Sequence, residues 1–210
     1  MGHRVCPWWL GSLLASPIRR FFYDPEAVLR PHIKEGMNVL DLGCGMGFFS
    51  LPIANMIGKR GKVFCIDLQE KMIEGLVKRA EKAGLSGRIE ARTCRQNSLE
   101  IKDLAGKIDF ALAFALVHEV PDKDRLFSEI YDTLRQDGRF LMVEPSGHVS
   151  KKDFDKTLST AQDTGFEDLS DVTVRHNHAV LLRKREDKQQ NGPEKPSILA
   201  VQQSSPVKDT

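Results

Sequence analysis

Val39-Leu40-Asp41-Leu42-Gly43-Cys44-Gly45-Met46-Gly47-Phe48 decides the fold of this chain. An apolar run ends in an acid, glycines alternate with other residues, and an aromatic-apolar run resumes. The pattern predicts a buried strand, a tight glycine turn and a helix start. Glycine has no Cβ and tolerates positive φ, so such a turn lets backbone approach a ligand closely. Over the end of a parallel sheet, that position suits a nucleotide-like cofactor.

Strands and helices alternate outward from the turn. Upstream, Asp24-Pro25-Glu26 combines an N-cap acid with proline and glutamate in a first turn, and predicts a helix to about Ile33. Asn38 to Leu42 is the first strand and Phe48 to Met56 the helix after the turn. Lys62 to Asp67 is a second short apolar strand ending in an acid. Glu70 to Ala83 has helical spacing, with Gly84 as a natural stop. Ile89 to Thr93 is a less apolar strand, expected near the sheet edge, whereas Ile108 to Val117 is almost wholly apolar. A central parallel strand covered on both faces has that composition. Asp122 to Leu134 reads as an amphipathic helix and Arg139 to Val143 as a strand. Ser150 to about Thr164 is a helix with a capping-box-like start, ended by Gly165. Two late strands follow, near Asp168 to Val174 and His178 to Arg183. This order predicts an α/β doubly wound, mostly parallel sheet with a C-terminal antiparallel hairpin.

The chain has 210 residues and a net charge of +2. One domain is the natural expectation, and bulk attraction to nucleic acid or membrane has no support from charge. Cys6, Cys44, Cys65 and Cys94 are scattered without a C-x-x-C pair, which suits a reduced, intracellular and so cytoplasmic protein. Residues 1–23 are expected to form an N-terminal arm, residues 24–185 the domain, and residues 186–210 a disordered tail. The tail lacks aromatics and is rich in Lys, Gln, Ser and Pro. Val5 to Ala15 is too short to span a bilayer and is interrupted by Pro7 and Gly11, so it reads as a lid or docking arm.

Phe48 stands where the dinucleotide fingerprint G-x-G-x-x-G has its third glycine, and Asp41 precedes the turn. A carboxylate there repels a pyrophosphate and suits a cation. The stretch Val39 to Gly47 closely resembles the first motif of class I S-adenosylmethionine (SAM) methyltransferases, whose cofactor carries an ammonium and a sulfonium. The resemblance extends over about Asp24 to Lys184 and implies seven strands in the order 3-2-1-4-5-7-6. It also implies SAM as cofactor and S-adenosylhomocysteine as product. Asp41, Gly43, Cys44 and Gly45 then form the cofactor turn. Asp67, at the end of the second strand, is expected to take the ribose hydroxyls, a device shared with NAD-binding folds. Leu68 and Met72 are expected on the adenine face. The family usually places an acid after the third strand to bond the adenine amino group. This chain has Arg95-Gln96-Asn97-Ser98, so Gln96 or Asn97 would serve through a side-chain carbonyl. Ala113 and Phe114, at the end of the fourth strand, would lie beside the methionine moiety.

Methyl transfer from a sulfonium is an in-line displacement that mainly needs alignment and exclusion of water. A base is needed only where the acceptor loses a proton. Ala115-Leu116-Val117-His118-Glu119-Val120-Pro121 lacks the Asn/Asp-Pro-Pro-Tyr motif of many nucleic-acid and glutamine amino-methyltransferases, and lacks a Pro-Cys nucleophile. It resembles small-molecule methyltransferases, including those of ubiquinone and menaquinone biosynthesis. His118 and Glu119 are the candidate catalytic residues. Trp8, Trp9 and Glu144 are the candidate substrate-binding residues. His176 and His178 share a strand face but are too few for a metal site. The expected partner is a small-molecule acceptor, without nucleic acid, and a homodimer is left open. The alternatives are a protein or RNA methyltransferase, a non-catalytic SAM-binding protein, and a nicotinamide-dependent oxidoreductase disfavoured by Asp41 and Phe48.

Overall fold

A computed structural model describes residues 24–185. Strands β1 (Asn38–Leu42), β2 (Lys62–Asp67), β3 (Ile89–Thr93), β4 (Ile108–Phe114), β5 (Leu134–Pro145), β6 (Phe166–Asp171) and β7 (Asn177–Lys184) form one sheet. Its order is β3-β2-β1-β4-β5-β7-β6. β1 to β5 pair in parallel, and β7 runs antiparallel between β5 and β6. The helices are α1 (Pro25–Leu29), α2 (Ser50–Met56), α3 (Glu70–Lys82), α4 (Lys123–Thr133) and α5 (Lys151–Thr164). This is the doubly wound architecture with a closing hairpin that the sequence predicts.

Side chains alternate between the two faces of the sheet with the strand period of two. Val39, Phe110, Leu112, Leu141 and Val143 join Leu29, Ile53 and Leu76 in one core. Leu40, Leu42, Ala111, Phe140 and Met142 join Phe127, Ile130 and Phe154 in the other. The central strands are apolar throughout because helices cover both faces. β3 lies at the edge, and its partly exposed residues account for its weaker apolar character.

Several boundaries differ from expectation for local reasons. α1 ends at Leu29, short of Ile33. Pro31 has no N–H to continue the ladder, although Arg30 before it keeps helical dihedrals. β4 ends at Phe114, short of Val117, because Ala115 turns to φ +56° and a 3₁₀ turn follows at Val117–Glu119. β5 begins at Leu134, earlier than Arg139, because Leu134 pairs with Ile108 before a register shift. β6 starts at Phe166, directly after Gly165 caps α5 at φ +117°. His176 lies before β7 at φ +57°, so it does not share a strand face with His178. Among the described residues, no cluster of three or more His, Cys, Asp or Glu could hold a metal ion. Trp8, Trp9, the rest of the arm and the tail lie outside the described residues.

Candidate active site

The glycine turn is fixed by β2. The amides of Gly43 and Cys44 donate to the Ile66 carbonyl at 2.8 and 3.2 Å. Gly43, Gly45 and Gly47 have φ of +64°, +52° and +85°, the left-handed region where only glycine is unstrained. Their surroundings differ. A Cβ on Gly43 would lie 2.9 Å from Leu116 Cδ1, and one on Gly47 would lie 2.4 Å from Leu76 Cδ1. A Cβ on Gly45 would meet nothing within 4 Å. The outer glycines therefore serve packing, and the middle one borders open space.

Asp41 is tied inward. It is 3% exposed, and its Oδ2 accepts from Ser50 Oγ at 2.5 Å. The acid expected to face a ligand thus joins the end of β1 to the first residue of α2. Asp67 is the carboxylate at the cleft wall. Its Oδ2 accepts from the Gly45 amide at 2.9 Å and its Oδ1 from the Gln69 amide at 2.9 Å. The Leu68 amide also bonds this carboxylate, and with about four acceptor positions it keeps capacity for a hydroxyl donor. Burial raises its pKa above the ordinary value, and the amide bonds from Gln69 and Gly45 oppose that rise.

The cleft beside Asp67 is walled by Gly43, Leu68, Gln96, Asn97, Leu116 and Glu119. Gln96 and Asn97 occupy a tight turn closed by reciprocal amide bonds between Arg95 and Ser98, at 3.0 and 3.2 Å. Glu129 of α4, which lines the same cleft, holds this turn. Its carboxylate accepts from Ser98 Oγ at 3.0 Å and from the Leu99 amide at 2.6 Å. Cys94 borders the same cleft, and burial pushes its thiol up to about 11, so the unreactive protonated form dominates. Met72, Cys44, Ala113 and Phe114 do not line this cleft. Each is buried, Phe114 against Phe49 at a ring separation of 4.6 Å.

The turn after β4 contributes residues to this cleft and to a second, more polar one. Leu116 and Glu119 line the first cleft, whereas His118 lines the second with Lys123, His148, Asp153, Lys156 and Thr157. Glu144 lines neither. At 1% exposure, it lies behind the turn, and its Oε1 accepts from the amides of Val117 at 2.8 Å and Leu116 at 3.2 Å. Its Oε2 bonds His118 Nδ1. Glu144, expected at the acceptor wall, is instead enclosed, with both carboxylate oxygens engaged by the turn. The bond to Glu144 raises the His118 pKa, with burial opposing it.

Nothing local in the sequence joins Asp41 to Ser50, Glu129 to Ser98, or Glu144 to His118. These pairs are 9, 31 and 26 residues apart and meet only through the sheet.

The groups present fit SAM. Gly45 leaves room over the turn, Asp67 offers acceptor positions for ribose hydroxyls, and Gln96 and Asn97 offer amide carbonyls for an adenine amino group. Comparisons with known proteins agree. A family model described as "methyltransferase domain" matches residues 33–192. Demethylmenaquinone methyltransferase of Lactobacillus johnsonii is 31% identical over 114 residues, covering 54% of this chain and 46% of that protein. The ubiquinone/menaquinone biosynthesis C-methyltransferase UbiE of Rhizobium johnstonii is 31% identical over 137 residues, covering 64% and 52%. The chain thus spans about half the length of the curated relatives it matches. A SAM-dependent methyltransferase structure from Aquifex aeolicus superposes with a TM-score of 0.77 at 24% identity, covering 86% of this chain and all (100%) of that one. The [4+2]-cyclase SpnF shares the fold at a TM-score of 0.64 and 19% identity, covering 77% of this chain and 80% of that one. Fold alone therefore does not fix the reaction.

Proposed function

This chain belongs to the class I SAM-dependent methyltransferase family, and we propose that it moves the methyl group of SAM to a small-molecule acceptor. The observation that carries the proposal is the junction of Gly45 and Asp67. An open left-handed glycine donates at 2.9 Å to Asp67, the buried carboxylate at the cleft wall. When bound, SAM supplies a methyl group activated by a positively charged sulfur that leaves as a neutral thioether.

The residues of the chain do the rest. Asp67 fixes the ribose edge, and Gln96 or Asn97 takes the adenine amino group. Leu68, 37% exposed, offers an apolar face to the base. The carbonyl of Gly43 and the backbone at the end of β4 receive the ammonium. Alignment and exclusion of water supply most of the rate in such a displacement. The second cleft, which the Leu116–Glu119 turn also lines, receives the acceptor, with His118 at its wall. A small acceptor is supported by the names of the relatives, which include two quinone-pathway methyltransferases. A cytoplasmic setting is supported by the free cysteines Cys44, Cys65 and Cys94, and no described helix is long and apolar enough to cross a membrane.

The test is SAM carrying a labelled methyl group, incubated with the protein and separate pools of hydroxyaryl, amine and thiol acceptors. Label in an extractable small molecule, absent with Asp67→Ala, is the expected result. Label found only in added protein or RNA would overturn the small-molecule reading.

A further inference from the structure

The His118–Glu144 pair has the geometry of a proton-transfer device. Glu144 is enclosed, and one oxygen is already engaged by the Leu116 and Val117 amides. Its other oxygen meets His118 Nδ1. With Glu144 as the acceptor of this bond, as it is for the two amides, Nδ1 is the donor and carries a proton. In neutral imidazole the lone pair then belongs to Nε2. Nε2 has no hydrogen-bond partner among the described residues, while the ring borders the polar cleft and is 26% exposed. Buried carboxylates that hold an imidazole from behind set its tautomer and stabilise the cation that forms when it takes a proton.

We propose that Glu144 is a positioning residue that holds His118 with Nδ1 protonated, so that Nε2 removes a proton from the acceptor as the methyl group is transferred. The proposal rests on the methyltransferase reading and requires an acceptor whose proton must leave, such as a hydroxyl. The acceptor O–H proton passes to Nε2, and an oxygen lone pair forms the new bond to the methyl carbon. The carbon–sulfur bond breaks, its electron pair stays on sulfur, and a neutral thioether results. The imidazolium is balanced by Glu144 and later loses its proton to solvent. The other charged or titratable groups facing His118 are Glu119 on its own turn, Lys123 on α4, His148 after β5, and Asp153 and Lys156 on α5. None of these is bonded to the imidazole, so Glu144 alone selects its tautomer.

Nitrogen-15 NMR of the imidazole rings in the SAH-bound full chain tests this, with His118→Gln to assign the resonance. The expected result is a neutral His118 protonated on Nδ1. In Glu144→Gln the amide NH₂ turns toward Nδ1, the tautomer switches to Nε2–H, and the titration midpoint moves to lower pH. Calorimetric SAH affinity stays unchanged. A wild-type His118 already protonated on Nε2, or an unchanged tautomer in Glu144→Gln, would overturn the proposal. The wild-type tautomer decides the matter even if that variant does not fold. Failure of the wild-type chain to bind SAH would count against the methyltransferase reading instead.

Discussion

Replacing Gly45 with alanine separates backbone strain from ligand contact. Gly45 and Gly84 have φ of +52° and +67°, and a Cβ on either meets nothing within 4 Å. Gly84 follows α3, far along the chain from the turn, and its amide donates to the Glu81 carbonyl at 3.0 Å. Alanine in the left-handed region costs about 1–2 kcal/mol. Loss of glycine's freedom in the unfolded chain returns about 0.4–1 kcal/mol. Both variants should therefore lose about 1 kcal/mol, a fall in Tm of about 2–4 °C for a domain of this size. Only Gly45→Ala places a methyl group where the cofactor must approach. Its SAM dissociation constant should rise at least about tenfold, or about 1.4 kcal/mol, with Gly84→Ala unchanged. Thermal denaturation and calorimetry on the two variants give both numbers. Equal SAM affinity in Gly45→Ala and Gly84→Ala would refute the assignment of the turn to cofactor binding.

Other outcomes follow from the same geometry. Ser50→Ala removes the 2.5 Å bond to buried Asp41 and should cost about 1.5–3 kcal/mol, read as a drop in denaturation midpoint. Phe127→Ala empties a fully buried position between α4 and the sheet and should cost about 3–5 kcal/mol in the same assay. The His118 pKa is raised by Glu144, and the base is the deprotonated form. The rate should therefore climb as pH rises through a midpoint above the usual histidine value, and a flat profile from pH 5 to about 9 would contradict that. Asp67 has a raised pKa as well, chiefly through burial. Its ionised form is the better acceptor of ribose hydroxyls, so SAM affinity should weaken as pH falls through that raised value, which titration calorimetry at acidic pH would reveal.

The fold was legible because its signals are local and periodic. The apolar run before Gly43, the strand ending at Asp67 and the unbroken apolar β4 each announce a buried parallel strand. The antiparallel hairpin was legible from the two late runs, although Gly165 started β6 earlier than their composition suggested. The place of Asp67 at a strand end was legible, and the structure puts it at the cleft wall. The direction of Asp41 was not, because its partner Ser50 depends on how α2 is seated against β1. Met72 and Phe114 have the right positions along the chain for cofactor contact, yet their side chains turn into the core. His118 and Glu144 were each legible as polar residues near strand ends. Their pairing was not, since it requires β4 and β5 to be neighbours in a fixed register, with Phe114 opposite Val143.

The central claim is that the Gly43–Gly47 turn and Asp67 bind SAM. Isothermal calorimetry with SAM, SAH and NAD tests it most directly. Low-micromolar binding of SAM and SAH, lost in Asp67→Ala and absent for NAD, is the predicted result. Binding of NAD instead, or of none of the three, would contradict the account.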